Sequence, residues 1–216
     1  NLVVLNVNQV EEVAAQVDFV FSAVDMSKDE IRAIEEAYAK AEVPVVSNNS
    51  AHRWTPDVPM MVPELNPEHA EIIPYQRKRL GTKRGFIAVK PNCSIQSYTP
   101  ALHALREFEP TLVVATTYQA ISGAGKTFKD WPEMIDNVIP YIAGEEEKSE
   151  QEPLRIWGKI EDGVIKKAEG PLITTQCIRV PVEDGHTAAV FVNFKKKPTK
   201  EEIIDRWNNF SGEPQK

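Results

Sequence analysis

Two short apolar runs flanking one amphipathic segment restrict the first part of this chain to a parallel α/β arrangement. Residues 18–24, Asp-Phe-Val-Phe-Ser-Ala-Val, form a short, mainly apolar run with Phe19, Val20 and Phe21 in succession, the pattern of a buried parallel strand. Ser27 followed by Glu30 has the capping-box spacing, and the helix it opens places Ile31, Ile34, Tyr38 and Ala41 on one side. Val43-Pro44-Val45-Val46-Ser47 reads as the next strand and runs into a polar loop over 48–54. Strand, helix and strand with short connections form a βαβ unit, and such units build parallel sheets.

From residue 60 to 84 the pattern loosens into proline-punctuated loop and short elements. An apolar run, Gly85-Phe86-Ile87-Ala88-Val89, then leads through Lys90-Pro91-Asn92-Cys93-Ser94-Ile95 into an amphipathic helix expected over 98–108. Beyond it lie a β-branched strand at 111–118 and a glycine loop, Ser122-Gly123-Ala124-Gly125. A helix over 145–160 follows, interrupted or reset near Pro153, then long strands at 171–182 and 186–196. Thr199 and Glu202 repeat the capping-box spacing and open a helix carrying Ile203, Ile204, Trp207 and Phe210. The βαβ character fades near residue 90. The expected fold is α/β in two parts, a parallel-sheet domain over 1–91 and an α+β domain with a mostly antiparallel sheet over 92–216. No glycine precedes Gly81, so the first part cannot hold a Gly-rich phosphate loop. Together with a start at Asn1, this is expected of an internal piece of a longer chain.

The chemistry-bearing residues centre on Cys93. It sits where an apolar strand gives way to a helix, and the exposed N–H groups of a helix start favour a negative charge. The thiolate is the nucleophilic form of cysteine. His186 follows Gly185 and opens a strand, where its ring can reach a cleft; cysteine with a remote histidine is the minimum set for covalent catalysis. Each has a bland alternative: free cysteines are usually buried and inert, and a strand-start histidine is often only solvated. Cys177, inside a β-branched run, is expected to be packing. His103 and His69 read as structural or solvated, and His52 is ambiguous. Arg179, flanked by Ile178 and Val180, either faces solvent or enters a pocket to grip a carboxylate in bidentate fashion. Glu145 and Lys148 share a helix face, by default as a surface ion pair. Ser122-Gly123-Ala124-Gly125-Lys126-Thr127 looks like the end of a nucleotide-binding P-loop, but Ala120 stands where that pattern needs glycine.

Composition narrows the partners. The chain is 42% hydrophobic and 26% charged, ordinary for a soluble protein, and its net charge of −7 comes without a basic stripe, which argues against nucleic acid. The clusters Gln76-Arg77-Lys78-Arg79 and Lys195-Lys196-Lys197 read as solvated charge. No run reaches the roughly 20 apolar residues a bilayer demands, no basic leader is visible, and two cysteines are too few for a disulfide framework. A free-thiol protein of a reducing compartment, cytoplasmic and without a membrane or a metal site, is expected.

Five motifs then occur in one order: Ser47-Asn48-Asn49-Ser50-Ala51-His52-Arg53 with Pro56-Asp57-Val58-Pro59; Pro91-Asn92-Cys93-Ser94; Tyr118-Gln119-Ala120-Ile121-Ser122-Gly123-Ala124-Gly125; Gly144-Glu145-Glu146-Glu147-Lys148; and Arg179-Val180-Pro181-Val182 with Gly185-His186. On these the chain resembles the aspartate-β-semialdehyde dehydrogenases, in the branch shared by archaea, fungi and some bacteria. The resemblance implies the remainder of a Rossmann-like NADP-binding domain followed by a catalytic and dimerisation domain. It implies reduction of β-aspartyl phosphate to aspartate semialdehyde, with release of phosphate, in lysine, threonine and methionine synthesis, by a homodimer or a dimer of dimers. By resemblance, Cys93 would form a thioacyl intermediate, His186 would be the general acid and base, and Gln119 would orient the nucleophile or the intermediate. Arg179 would hold the substrate carboxylate and Glu145 its amino group. Arg53, Lys148 and Asn92 would line the phosphate pocket, and Ser22, Ala23, Ser50, Ser122 and Gly123 would contact the cofactor. A malonyl-CoA reductase or other thioester reductase on the same scaffold, and an inactive fragment serving as a dimerisation module, are the alternatives.

Overall fold

The computed structural model describes residues 3–215, so the outer ends of the expected spans 1–91 and 92–216 lie outside the described residues. Contacts divide the chain into two compact units: Asn1–Pro91 with Gly158–Lys167, and Asn92–Trp157 with Ala168–Lys216.

The first unit is built on a parallel sheet. A short helix α1 (Val10–Ala14) precedes strand β1 (Val20–Ser22), helix α2 (Lys28–Lys40) and strand β2 (Val45–Ser47). After a loop, a 3₁₀ segment (Pro67–Ile72) and helix α3 (Ile73–Leu80), strand β3 (Ile87–Val89) completes the order β1-β2-β3. Both capping-box bonds at Ser27 form, the hydroxyl accepting from Glu30 N–H and the Glu30 carboxylate accepting from Ser27 N–H; such a cap contributes about 1 kcal/mol. Tyr38 and Ala39 of α2 and Leu80 of α3 bury against Val45, Met60, Ile87 and Val89, with Val20 packed alongside. Each fully buried aliphatic side chain contributes roughly 1.5–3 kcal/mol. On the opposite face the register aligns Phe21, Val46 and Ala88 across the three strands. Phe21 is 75% exposed there, and an apolar recess of ≈ 590 Å³ opens along that row.

A small antiparallel hairpin, β5 (Lys159–Glu161) and β6 (Val164–Lys166), also belongs to this unit. Ile165 N–H donates to Pro56 O, and the ring of His69 meets Gly158 O at 3.1 Å. The expected 92–216 span is therefore interrupted at 158–167, and the helix expected to reach residue 160 ends earlier. That helix, α5 (Glu145–Ile156), keeps Pro153 inside it. Proline has no N–H to bond the carbonyl one turn back, and the Tyr98 hydroxyl donates to that carbonyl, Ser149 O, at 3.0 Å.

The second unit holds a mixed sheet. Strand β4 (Pro110–Gln119) lies between β7 (Leu172–Arg179), to which it is parallel, and β8 (Thr187–Phe194), to which it is antiparallel. The expected antiparallel pairing holds for β4–β8; the parallel pair arises because the long connection carrying α5 returns the chain in the same direction. The outer edge of β7 is protected by α5: Thr175 N–H donates to Glu150 and Cys177 N–H to Glu146, an answer to the exposed-edge problem of sheets. Cys177 is fully buried, as expected of a packing residue. The other sheet face leaves Leu172 69% and Phe191 78% exposed, with Val114 opposite Phe191 in register. Helix α6 (Lys200–Asn209) starts at a second complete capping box, Thr199 with Glu202. The single helix expected over 98–108 is instead two pieces, helix α4 (Thr99–His103) and a 3₁₀ turn (Arg106–Phe108), preceded by a separate 3₁₀ turn (Ser94–Ser97). Among the described residues, no helix is long and apolar enough to cross a membrane.

Candidate active site

Three strand ends of the mixed sheet meet beside Cys93. Gln119 ends β4 and Arg179 ends β7, paired in register, while His186 immediately precedes β8 because that strand runs the other way. Gly185, at φ +90, makes the left-handed turn that delivers the histidine. Ligands of sheets with parallel strands gather at the carboxyl ends of those strands, and β4 and β7 end here.

Cys93 Sγ lies 3.2 Å from His186 Nε2, and the cysteine is exposed. The Ala120 main-chain N–H donates to His186 Nδ1 at 3.1 Å. An accepting Nδ1 places the proton of the neutral imidazole on Nε2, the nitrogen facing sulfur. The sulfur's environment therefore depends on this ring. The sequence-based reliance on a helix N-terminus is corrected, because the elements after Cys93 are a four-residue 3₁₀ turn and a five-residue helix, too short to sum many peptide dipoles.

Asn92 organises the turn that presents the thiol. Its Oδ1 accepts from Ser94 N–H at 2.8 Å and from the Ser94 hydroxyl at 2.9 Å, and its Nδ2 donates to Glu145 Oε2 at 2.8 Å. Glu145 opens α5 and also takes Lys148 Nζ at 2.7 Å and Gln119 Nε2 at 3.4 Å. Burial works against this carboxylate, but the hydrogen bonds from Lys148 and Asn92, the Lys148 charge and Gln119 outweigh it, and Glu145 titrates below the usual range. The pair is thus part of a half-buried network and not an ordinary surface bridge. Arg179 is 6% exposed and donates from Nη1 to Ala120 O at 2.6 Å. Burial eases its pKa downward, opposed chiefly by the Glu145 charge, and a guanidinium stays cationic throughout. Ala120 therefore fixes both the histidine ring, through N–H, and the arginine, through C=O.

Ser122 and Gly123 line an open groove of ≈ 390 Å³ together with Cys93, Ser97, Gly185 and His186. A Cβ on Gly123 would stand 2.8 Å from His186 Cε1 and 2.9 Å from Arg179 Nη1. Only a residue without a side chain lets both groups close over that loop. The loop forms a 3₁₀ turn (Ile121–Ala124) and no helix follows it directly, so its likeness to a P-loop ends with its glycines.

The second unit thus brings together Cys93, His186, Gln119, Arg179, Glu145, Lys148, Asn92, Ser122 and Gly123. Arg53, Ser22, Ala23 and Ser50 belong to the first unit. Arg53 is buried and donates from Nε to Lys90 O at 3.0 Å. The Ser22 hydroxyl donates to the buried Glu35 and accepts from Asn49 Nδ2 at 3.1 Å, and the Ser47 hydroxyl meets the same Glu35 oxygen. His52 is buried, its Nδ1 3.0 Å from Thr55 Oγ1, and burial pulls its pKa down, which resolves its ambiguous reading toward structure. His69 is also fully buried. Sequence reasoning missed Ala120, Glu35 and Glu152. Ala120 acts through its backbone and leaves no signal, whereas Glu152 follows Glu145 at two-turn spacing on one helix face.

The family model for the semialdehyde dehydrogenase NAD binding domain matches residues 1–73, and that for the semialdehyde dehydrogenase dimerisation domain matches residues 101–216. The aspartate-semialdehyde dehydrogenase of Methanothermobacter thermautotrophicus is 39% identical over 201 residues, covering 93% of this chain and 56% of that protein. That of Archaeoglobus fulgidus is 42% identical over 185 residues, covering 86% and 53%. The crystal structure of the Candida albicans enzyme with NADP superposes with a TM-score of 0.77 at 33% identity, covering 92% of this chain and 57% of that one. The chain thus spans about half the length of the curated relatives it matches. With both domain models in order, and with the cysteine, histidine and arginine of the sequence motifs gathered at one sheet end, the chain belongs to the semialdehyde dehydrogenase family.

Proposed function

We propose that the protein carrying this chain is an aspartate-semialdehyde dehydrogenase, reducing β-aspartyl phosphate to aspartate semialdehyde with release of phosphate, in amino-acid biosynthesis. The observation that carries the reading is the 3.2 Å approach of Cys93 Sγ to His186 Nε2 beside a buried cation, Arg179, and a charged carboxylate, Glu145. A substrate with an α-carboxylate and an α-ammonium group presents the complementary pair of charges.

Cys93 is assigned the nucleophile. Its thiolate adds to the acyl-phosphate carbonyl, the carbon–oxygen bond to phosphate breaks, and phosphate leaves with the electron pair. Lys148 and Asn92 of the second unit are assigned to that dianion, and Arg53 of the first unit is assigned the same role. NADPH, when bound, supplies the hydride that reduces the thioester carbon. The carbon–sulfur bond then breaks, the aldehyde leaves, and sulfur regains its lone pair. His186 Nε2–H hydrogen-bonds the sulfur while it is anionic and is the proton donor and acceptor of the cycle. Gln119, fixed by Thr117 and Glu145, is assigned to the intermediate, and Arg179 to the carboxylate.

The residues fit a cofactor on this side. Gly123 carries no side chain over the groove it shares with Cys93, and the match to an NAD binding domain, with a relative solved with NADP, supports NADP as the hydride source. Ser122 and Gly123, together with Ser22, Ala23 and Ser50 of the first unit, are assigned to it. The exposed apolar row of Val114, Phe191 and Leu172, within the segment matched by a dimerisation domain, supports a homodimer through this sheet face, either alone or paired into a dimer of dimers. The setting assigned is the cytoplasm.

The test is phosphate-dependent NADP reduction by the full-length protein with aspartate semialdehyde. Turnover that requires coenzyme A instead of phosphate would replace this reading by a CoA-thioester reductase. Size-exclusion chromatography with light scattering checks the dimer.

A further inference from the structure

Helix α5 is laced to the segment that carries Cys93 at successive turns of one face. Glu145 takes the Asn92 side-chain amide at 2.8 Å, and the Ser149 hydroxyl meets that of Ser94 at 3.2 Å. Ser149 O accepts from Tyr98, which it can do because Pro153 offers it no N–H. At the far end Glu152, fully buried, accepts the Asn92 main-chain N–H at 2.5 Å. Burying a carboxylate costs several kcal/mol unless it is hydrogen-bonded, and a neutral carbonyl would have satisfied the same N–H. The bond is short, and it is made to the residue directly before Cys93. A negative charge at Glu152 would not favour a neighbouring anion, so what this contact offers the thiol is geometry.

We propose that Glu152 is a positioning residue for the nucleophile: by gripping the Asn92 N–H from α5 it fixes the Asn92–Cys93 turn and with it the 3.2 Å approach of sulfur to His186. The inference rests on the reading of Cys93 as the nucleophile and deepens it.

Three variants separate geometry from charge. Glu152→Gln keeps an oxygen acceptor at the same reach without charge; Glu152→Asp keeps the charge but draws the oxygen back; Glu152→Ala removes both. Two readouts are taken on the full-length protein: kcat and KM in the dehydrogenase assay, and the rate at which iodoacetamide alkylates Cys93 at pH 7. Melting temperature and circular dichroism confirm folding. Glu152→Ala and Glu152→Asp are expected to lower kcat and the alkylation rate about tenfold or more, the usual effect of losing an outer supporting contact, with KM changed less than kcat. Glu152→Gln is expected to retain most of both. A Gln variant slower than the Asp variant, or a folded Ala variant with native kcat and alkylation rate, overturns the proposal. If Ala does not fold, the Asp–Gln contrast alone decides. Should the alkylation pattern hold in a protein that lacks dehydrogenase turnover, the positioning role stands and the proposed reaction falls.

Discussion

The main-chain N–H of Ala120 donates to Nδ1 of His186 at 3.1 Å, and this places the imidazole proton on Nε2, 3.2 Å from Cys93 Sγ. In this resting arrangement the ring is a hydrogen-bond donor toward the sulfur, so its first task is to support a sulfur anion. Replacing His186 by alanine removes that donor and the proton relay. The expected result is a loss of roughly 10²–10⁴-fold in kcat, the range for a positioned acid–base group. KM for the acyl substrate should move far less, because Arg179 and Glu145 remain. Steady-state kinetics on the purified variant check this; near-native kcat would remove His186 from the chemistry.

Gly123 is a second point of sensitivity. Alanine there would press a methyl group against His186 Cε1 at 2.8 Å and Arg179 Nη1 at 2.9 Å, so the ring, the guanidinium or the loop must shift. Small misplacements of reacting groups cost about 10²-fold. Gly123→Ala is expected to lower kcat/KM by that order through both kcat and KM. Because the loop is exposed, its melting temperature should stay within a few degrees of wild type. A fully active Gly123→Ala protein would show that the loop has room to yield.

Arg179→Lys tests the fork. Lysine keeps the charge but cannot hold Ala120 O and a substrate carboxylate together in one rigid plane. A hydrogen bond to a charged group is worth about 1.5–3 kcal/mol, which corresponds to a KM raised by roughly ten- to a hundred-fold. The increase should be specific to the carboxylate-bearing substrate and absent from the KM for NADP. Equal increases in both would contradict the assignment.

The first unit carries its own pH dependence. Glu42 accepts the backbone N–H groups of Lys83, Arg84 and Gly85, and these bonds, in the order Gly85, Arg84, Lys83, hold its carboxyl down to about 2 from a reference of 4.5. A folded-state pKa below the unfolded one gives stability that is fully present above about 4.5 and is lost as pH falls toward 2. Glu42→Gln should therefore melt below wild type at pH 7, and the gap should close between pH 4.5 and 2. Thermal melts across that range read it directly. A gap that does not change with pH would mean the carboxylate charge is not what the three amides use.

The parts of this fold legible in the sequence were those set by neighbours in the chain. Both capping boxes, at Ser27 with Glu30 and Thr199 with Glu202, form as spaced, because a side chain and an amide three residues apart meet whenever the helix starts. The βαβ unit followed from short connections between apolar runs. Cys93, His186 and Arg179 were nameable as chemistry by residue type and motif, though not as a constellation by distance.

What only the tertiary structure decided were the pairings between distant segments. Position alone did not show that β4 and β7 run parallel with Gln119 opposite Arg179. Nor did it show that residues 158–167 leave the second unit, or that a helix expected over 98–108 breaks into two short pieces. The supports of the site were hidden for the same reason: Ala120 works through backbone atoms common to every residue, and Glu152 through an N–H sixty positions away. Local spacing fixes which dihedrals a segment prefers, whereas a hydrogen bond across such a separation exists only once packing has met the entropy of closing the loop.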